Sequence, residues 1–79
     1  MIKTFIIIKD NIKHIFDDVD RFKIKIKEFK GNNKKIGHEL SVIKNNKGKW
    51  GIVATIYTDE EDNKRIHQAN VDLFEAGEL

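Results

Sequence analysis

Apolar residues recur at spacings of three and four along the stretch from Asn11 to Gly31: Ile12, Ile15, Phe16, Val19, Phe22, Ile26 and Phe29. That period places them on one side of a helix. It predicts a single amphipathic helix over residues 12–29, laid on a sheet. A second pattern competes near the end of the stretch. Phe22, Ile24 and Ile26 alternate with Lys23, Lys25 and Lys27, as in a half-buried strand. The alternation breaks at Glu28 and Phe29, whereas the helix accounts for all but Ile24. The acidic run Asp17-Asp18-Val19-Asp20 offers the one turn that would divide the segment.

The flanking segments read as strands. Ile2 to Ile8 is rich in β-branched residues and apolar on both faces at its end, which suits a central or well-covered strand. Asp10 or Asn11 is then placed to cap the helix, with Lys27, Lys30 and Gly31 at its far end. Gly31 to Lys35 is a loop by its turn residues. Ile36, His38, Leu40 and Val42 alternate with Gly37, Glu39 and Ser41, so a strand follows. Asn45-Asn46-Lys47-Gly48 predicts a hairpin connection with Gly48 at positive φ, leading into a strand from Trp50 to Tyr57.

Both faces of this last strand carry apolar residues, Trp50, Ile52 and Ile56 on one and Val53 and Tyr57 on the other. Something must therefore cover the second face, and the C-terminal segment is the candidate. Thr58-Asp59-Glu60-Glu61 fits a capping box. Ile66, Ala69, Leu73 and Ala76 follow at helical spacing, with Gly77 as a stop. The rival is another strand, because His67, Ala69, Val71 and Leu73 alternate. The resulting expectation is one α+β domain over residues 1–79. It is a two-layer β-α-β-β sheet, mostly antiparallel, packed on one amphipathic helix, plus a C-terminal helix or strand.

Composition narrows this little. Seventy-nine residues without Cys form a small domain that holds by its core alone. The balance of 39% apolar and 35% charged residues is that of a soluble domain. The longest apolar run, Phe5 to Ile8, is too short for a bilayer. The N-terminus lacks the apolar core of a secretion signal, so a cytoplasmic setting and no membrane partner are expected.

Charge is more telling. Residues 1–49 carry thirteen Lys or Arg against six Asp or Glu, a balance of +7. Residues 50–79 carry two against seven, a balance of −5, and such polarity steers partners. The heavy use of Lys, Ile and Asn, with two Arg and no Pro, is the translation expected of an AT-rich genome, as in a low-GC bacterium or its phages and plasmids. The element order β-α-β-β over residues 2–58, with a last strand bearing Trp50 and Tyr57, resembles small spore-associated and prophage proteins of low-GC bacteria. Those families imply no defined activity.

Residues capable of chemistry do not assemble into a signature. His14, His38 and His67 lie on three separate elements without metal-ligand spacing. His38 shares the face of Ile36, Leu40 and Val42, as a packed or rim histidine does, while His14 falls on the polar side of the helix. Asp17, Asp18 and Asp20, like Asp59 to Asp62, lack the alternation of a calcium loop and are read as solvated or capping groups. Ser41 is the sole serine and has no glycine-rich elbow. No catalytic residue, cofactor or metal is expected, and the protein is read as a non-enzyme.

Two binding readings remain. The first is a protein-interaction module, from a phage or mobile element, that binds and inhibits a host macromolecule. Ile24 would project from the polar face of the helix, and a hairpin edge with Trp50 and Tyr57 would extend a partner's sheet or that of a second copy. Lys25, Lys47 and Lys49 complete the candidate contact set. The second is nucleic-acid binding through the eleven lysines between Lys9 and Lys49, with Trp50 or Tyr57 stacking on bases. Against it, Lys23 and Lys30 flank the apolar stripe as snorkelling stems.

Overall fold

Phe5 to Ile8 are buried on both faces, as a central strand requires. The computed structural model describes residues 2–58 and 60–79, without the side chains of Glu60 and Glu61. The chain runs β1 (Thr4–Lys9), β2 (Ile12–Phe16), α1 (Val19–Lys30), β3 (Gly37–Lys44), β4 (Trp50–Tyr57) and α2 (Glu60–Glu75). The architecture is α+β, a four-stranded mixed sheet with two helices. Its strand order is β2-β1-β4-β3. β1 pairs parallel with β4, with Phe5 opposite Ile52 and Ile7 opposite Ala54; the two outer pairs are antiparallel.

The start of the long helix is corrected. Residues 12–16 are an edge strand, not the first turns of a helix. Asp10 and Asn11 both adopt positive φ, 52° and 62°, and join β1 to β2 in a two-residue turn. Positive φ at both central positions is the type I′ geometry whose twist suits a hairpin, and Asp and Asn tolerate it better than most residues. They therefore do not cap the helix. Asp18 does, its carboxylate accepting from the Asp20 amide at 3.0 Å. From Val19 onward the helical periodicity holds: Phe22 and Ile26 are buried, and Gly31 ends the helix at φ 55° with its amide donating to the Lys27 carbonyl.

The two helices take opposite faces. α1 packs Phe22 and Ile26 onto Phe5, Ile7, Ala54 and Ile56. α2 covers the other face, where Phe74 meets Ile6, Ile8 and Val53. The C-terminal segment is thus a helix, and it makes a third layer beyond the expected two. Its orientation also differs from expectation. Ile66 and Leu73 are exposed, as are Ala69 and Ala76, and the sheet-facing residues are Asn63, His67, Val71 and Phe74. The capping box includes Asp59 and the side chains of Glu60 and Glu61, which lie outside those described. At the far end the Gly77 amide bonds the Phe74 carbonyl and the Glu78 amide that of Leu73, a Schellman closure with Gly77 at φ 76°. The β3–β4 turn ties to this end: the Asn46 amide donates to the Glu75 carbonyl and its side chain to that of Ala76. Gly48 in that turn has φ 82°, as the hairpin reading requires.

Candidate functional site

Alternate residues of a strand face opposite sides, so the registers assign His38, Leu40 and Val42 of β3, with Trp50 and Ile52 of β4, to the face carrying α1. α1 rests on β1, β2 and β4. A helix is about 10 Å across and strands lie about 4.8 Å apart, so one helix covers about two strands. β3 and the start of β4 are left open on this face: Leu40 is 45% exposed, Val42 53% and Trp50 49%, whereas Ala54 and Ile56 of β4 are buried under α1.

Between α1 and this part of the sheet runs an apolar groove of about 460 Å³. Leu40 and Ile52 form its floor, and Phe22 and Ile26 line its helix side. Its upper wall carries Lys23, Lys27 and Lys30, which the helical period sets along one flank of α1. Among the described residues none of these lysines forms an ion pair. His38 closes one end. Burial, then the Lys30 charge, pushes its pKa below the usual 6.5, partly offset by Glu39, and its Nδ1 is enclosed without a hydrogen-bond partner.

The residues singled out by sequence are spread over several surfaces. Trp50 continues the apolar row of the groove. Tyr57 is on the opposite face, stacked over Gly37. Neither lies on an edge strand, because β4 is interior and the sheet edges are β2 and β3; the hairpin-edge expectation is corrected accordingly. Ile24 is 57% exposed on the outer side of α1. Lys25 occupies the flank away from the groove, paired with Glu28 at 3.1 Å and 5.2 Å from the Phe29 ring centre. Lys47 and Lys49 are exposed at the β3–β4 turn, where their amides bond the Asn45 carboxamide oxygen. His14 sits on β2 with its ring 5.0 Å from that of Phe29, so the expected solvated helix position is also corrected.

A hollow of about 300 Å³ lies where the parallel strands β1 and β4 end, beside Lys9, Tyr57 and Ile66. Its Lys9 ammonium is engaged by Asp10 at 2.8 Å. Among the described residues no three His, Asp or Glu side chains converge as a metal cage.

The best-formed polar cluster was not foreseen. His67 of α2 is 9% exposed. Its Nε2 lies 2.7 Å from the Ser41 hydroxyl and its Nδ1 2.8 Å from that of Thr55, which also accepts from the Asn70 amide group at 3.2 Å. A serine beside an imidazole is the start of a nucleophilic dyad, but the third group here is a hydroxyl where a carboxylate would orient the ring. Neither surface hollow reaches Ser41. The cluster thus satisfies a polar ring held between sheet and helix.

It has a consequence for pH. Burial lowers the His67 pKa below 6.5, with Glu39 opposing weakly. The unfolded chain therefore takes up the proton first, so the stability of the neutral ring is complete above about pH 6.5 and declines as pH falls toward the folded-state value. His38 acts in the same sense. Urea midpoints measured from pH 8 to pH 5 are expected to fall on the acid side, and His67→Gln is expected to flatten that slope. An unchanged slope would show that the ring is not held neutral.

Comparison with protein-family models, with curated proteins and with solved structures found no match to this chain. No helix among the described residues is long and apolar enough to cross a membrane.

Proposed function

We propose that the protein is a non-catalytic protein-interaction module that docks another protein on the groove between α1 and the β3–β4 half of the sheet. The supporting observation is the row Leu40, Val42 and Trp50, apolar side chains left at the surface of a small domain with few to spare from its core. Contiguous apolar surface with a polar rim is the usual anatomy of a protein interface. The AT-rich residue usage extends the proposal to a phage or mobile-element protein that binds and inhibits a host macromolecule in the cytoplasm. Catalysis, a cofactor and a metal have no part in this reading.

The test is capture from a low-GC bacterial lysate by the tagged wild type and by Leu40→Asp/Val42→Asp, with and without nuclease. Both positions are already exposed, so the variant is expected to fold. One dominant protein is expected to survive nuclease on the wild type and to drop by about tenfold or more on the variant, the size expected when central apolar anchors are lost. Recovery that collapses with nuclease would replace this reading with nucleic-acid binding through the lysines and Trp50. Capture indifferent to the variant would remove the groove from the proposal.

A further inference from the structure

The chemistry of the groove narrows what fits it. We infer that its occupant is an amphipathic α-helix of a partner protein, apolar on one side and flanked by Asp and Glu, lying beside α1 across β3 and β4. This rests on the interaction reading above and goes beyond it by naming the partner's chemistry.

Three observations carry it. The uncovered strip beside α1 runs along β3 and over the start of β4, through Leu40, Val42 and Trp50, an elongated apolar track of the kind one helix face fills. α2 packs on the opposite side of the same two strands, through Val53 and the Ser41–His67 contact, so β3 and β4 already accommodate a helix. The groove wall is of one sign: Lys23, Lys27 and Lys30 line it and, among the described residues, none is engaged by an acid.

Three ammonium groups beside an apolar floor disfavour a basic helix and favour an acidic one, which gains from the lysines as it buries its apolar side. The same sign argues against a second copy docking groove to groove about a twofold axis, since that would bring two lysine walls together. An aliphatic floor of Leu40 and Ile52, with exposed Val42 beside it on the same face, offers apolar side chains, where a nucleic acid would need a run of stacking rings.

The chain carries its own reporter, because Trp50 is the single tryptophan and continues the groove row. Two synthetic helical peptides of about 14 residues, ~21 Å long, would share one Leu/Ile stripe and differ only in flanking residues, Glu in one and Lys in the other. The Glu-flanked peptide is expected to shift Trp50 emission to the blue and to bind roughly tenfold or more tightly than the Lys-flanked one at low salt, the gap narrowing as salt screens the lysines. Lys23→Glu/Lys27→Glu/Lys30→Glu is expected to reverse the preference, and Leu40→Asp/Val42→Asp to abolish binding of both.

Equal binding of the two peptides, or a Trp50 spectrum that neither peptide moves, would overturn the inference. So would a dimer in sedimentation that Leu40→Asp/Val42→Asp dissociates. The two proposals fail separately. A nuclease-resistant, groove-dependent partner that the Glu-flanked peptide does not displace leaves the interaction reading standing and removes the acidic helix. The absence of any groove-dependent partner removes the interaction reading itself.

Discussion

Ile7→Ala is expected to remove about 2–5 kcal/mol of stability, the range for truncating a fully buried aliphatic side chain. Ile7 has no exposed surface and packs with Phe5, Phe22, Ile26, Ala54 and Ile56, between the two central strands and α1. Neighbours contributed by three elements cannot all close on the space left behind, so the loss includes a cavity as well as the transferred methyl groups. A domain of 79 residues has roughly 4–12 kcal/mol in total. The variant should therefore lose a large share of its urea midpoint or fail to fold at 37 °C. Ile24→Ala supplies the contrast, since that side chain is 57% exposed and its loss should cost about 0.5 kcal/mol or less. Urea titration of both variants by circular dichroism is the check, and similar losses for the two would contradict the assignment of core and surface.

Gly51→Ala is expected to destabilise by about 1–3 kcal/mol, the cost of overpacking a filled core. On general grounds the change should help, because Gly in a strand interior is worth roughly 0.5–1 kcal/mol less than Ala. Here a Cβ would meet Phe74 Cζ at 2.5 Å and Cε2 at 2.9 Å, with the Thr4 carbonyl oxygen at 3.3 Å. Phe74 is 2% exposed and held against Ile6, Ile8 and Val53, so its ring has nowhere to swing. The opposed signs make the measurement decisive. A Phe74→Leu change should recover part of the loss only in the Gly51→Ala background, and a double-mutant cycle would register that as a coupling energy. Additive effects would mean that the helix shifts away as a unit.

Both results depend on features with unequal traces in the sequence. The burial of Ile7 is legible from the unbroken apolar run Phe5 to Ile8. The closeness of Gly51 to Phe74 is not, because it depends on how α2 is turned about its axis. Periodicity points to Ile66, Ala69, Leu73 and Ala76 as the inner face, whereas the helix turns Asn63 and His67 inward with Val71 and Phe74. An apolar count cannot anticipate a buried histidine whose two ring nitrogens find hydroxyls on other strands, Ser41 and Thr55. A similar limit hides the hairpin at Asp10 and Asn11. It lacks the glycine that marks most two-residue turns, and the apolar residues of β2 happen to keep helical spacing.

The groove was half visible. Lys23 and Lys30 are recognisable from spacing alone as the flank of the helical stripe, and Trp50 as an apolar residue at a strand start. Leu40, Val42 and Ile52 read as one inward strand face, and nothing local marks that face as only partly covered. Ile24 attracts notice by breaking the helical pattern, yet it and the neighbouring Lys25 lie away from the groove.

The sequence by itself determined the class of the domain, the existence of strands near Ile2–Ile8 and Ile36–Val42 and over Trp50–Tyr57, the glycine turns and the helical character of Val19–Lys30. Each of these follows from residues near in the chain, through alternation, capping and backbone preference. Only the tertiary structure decided that residues 12–16 pair as an edge strand, that β1 lies parallel to β4, which side α2 presents, and that α1 leaves β3 and the start of β4 open on its face. Those outcomes depend on where a helix about two strands wide comes to rest on a four-stranded sheet, a choice among distant contacts that no local pattern encodes.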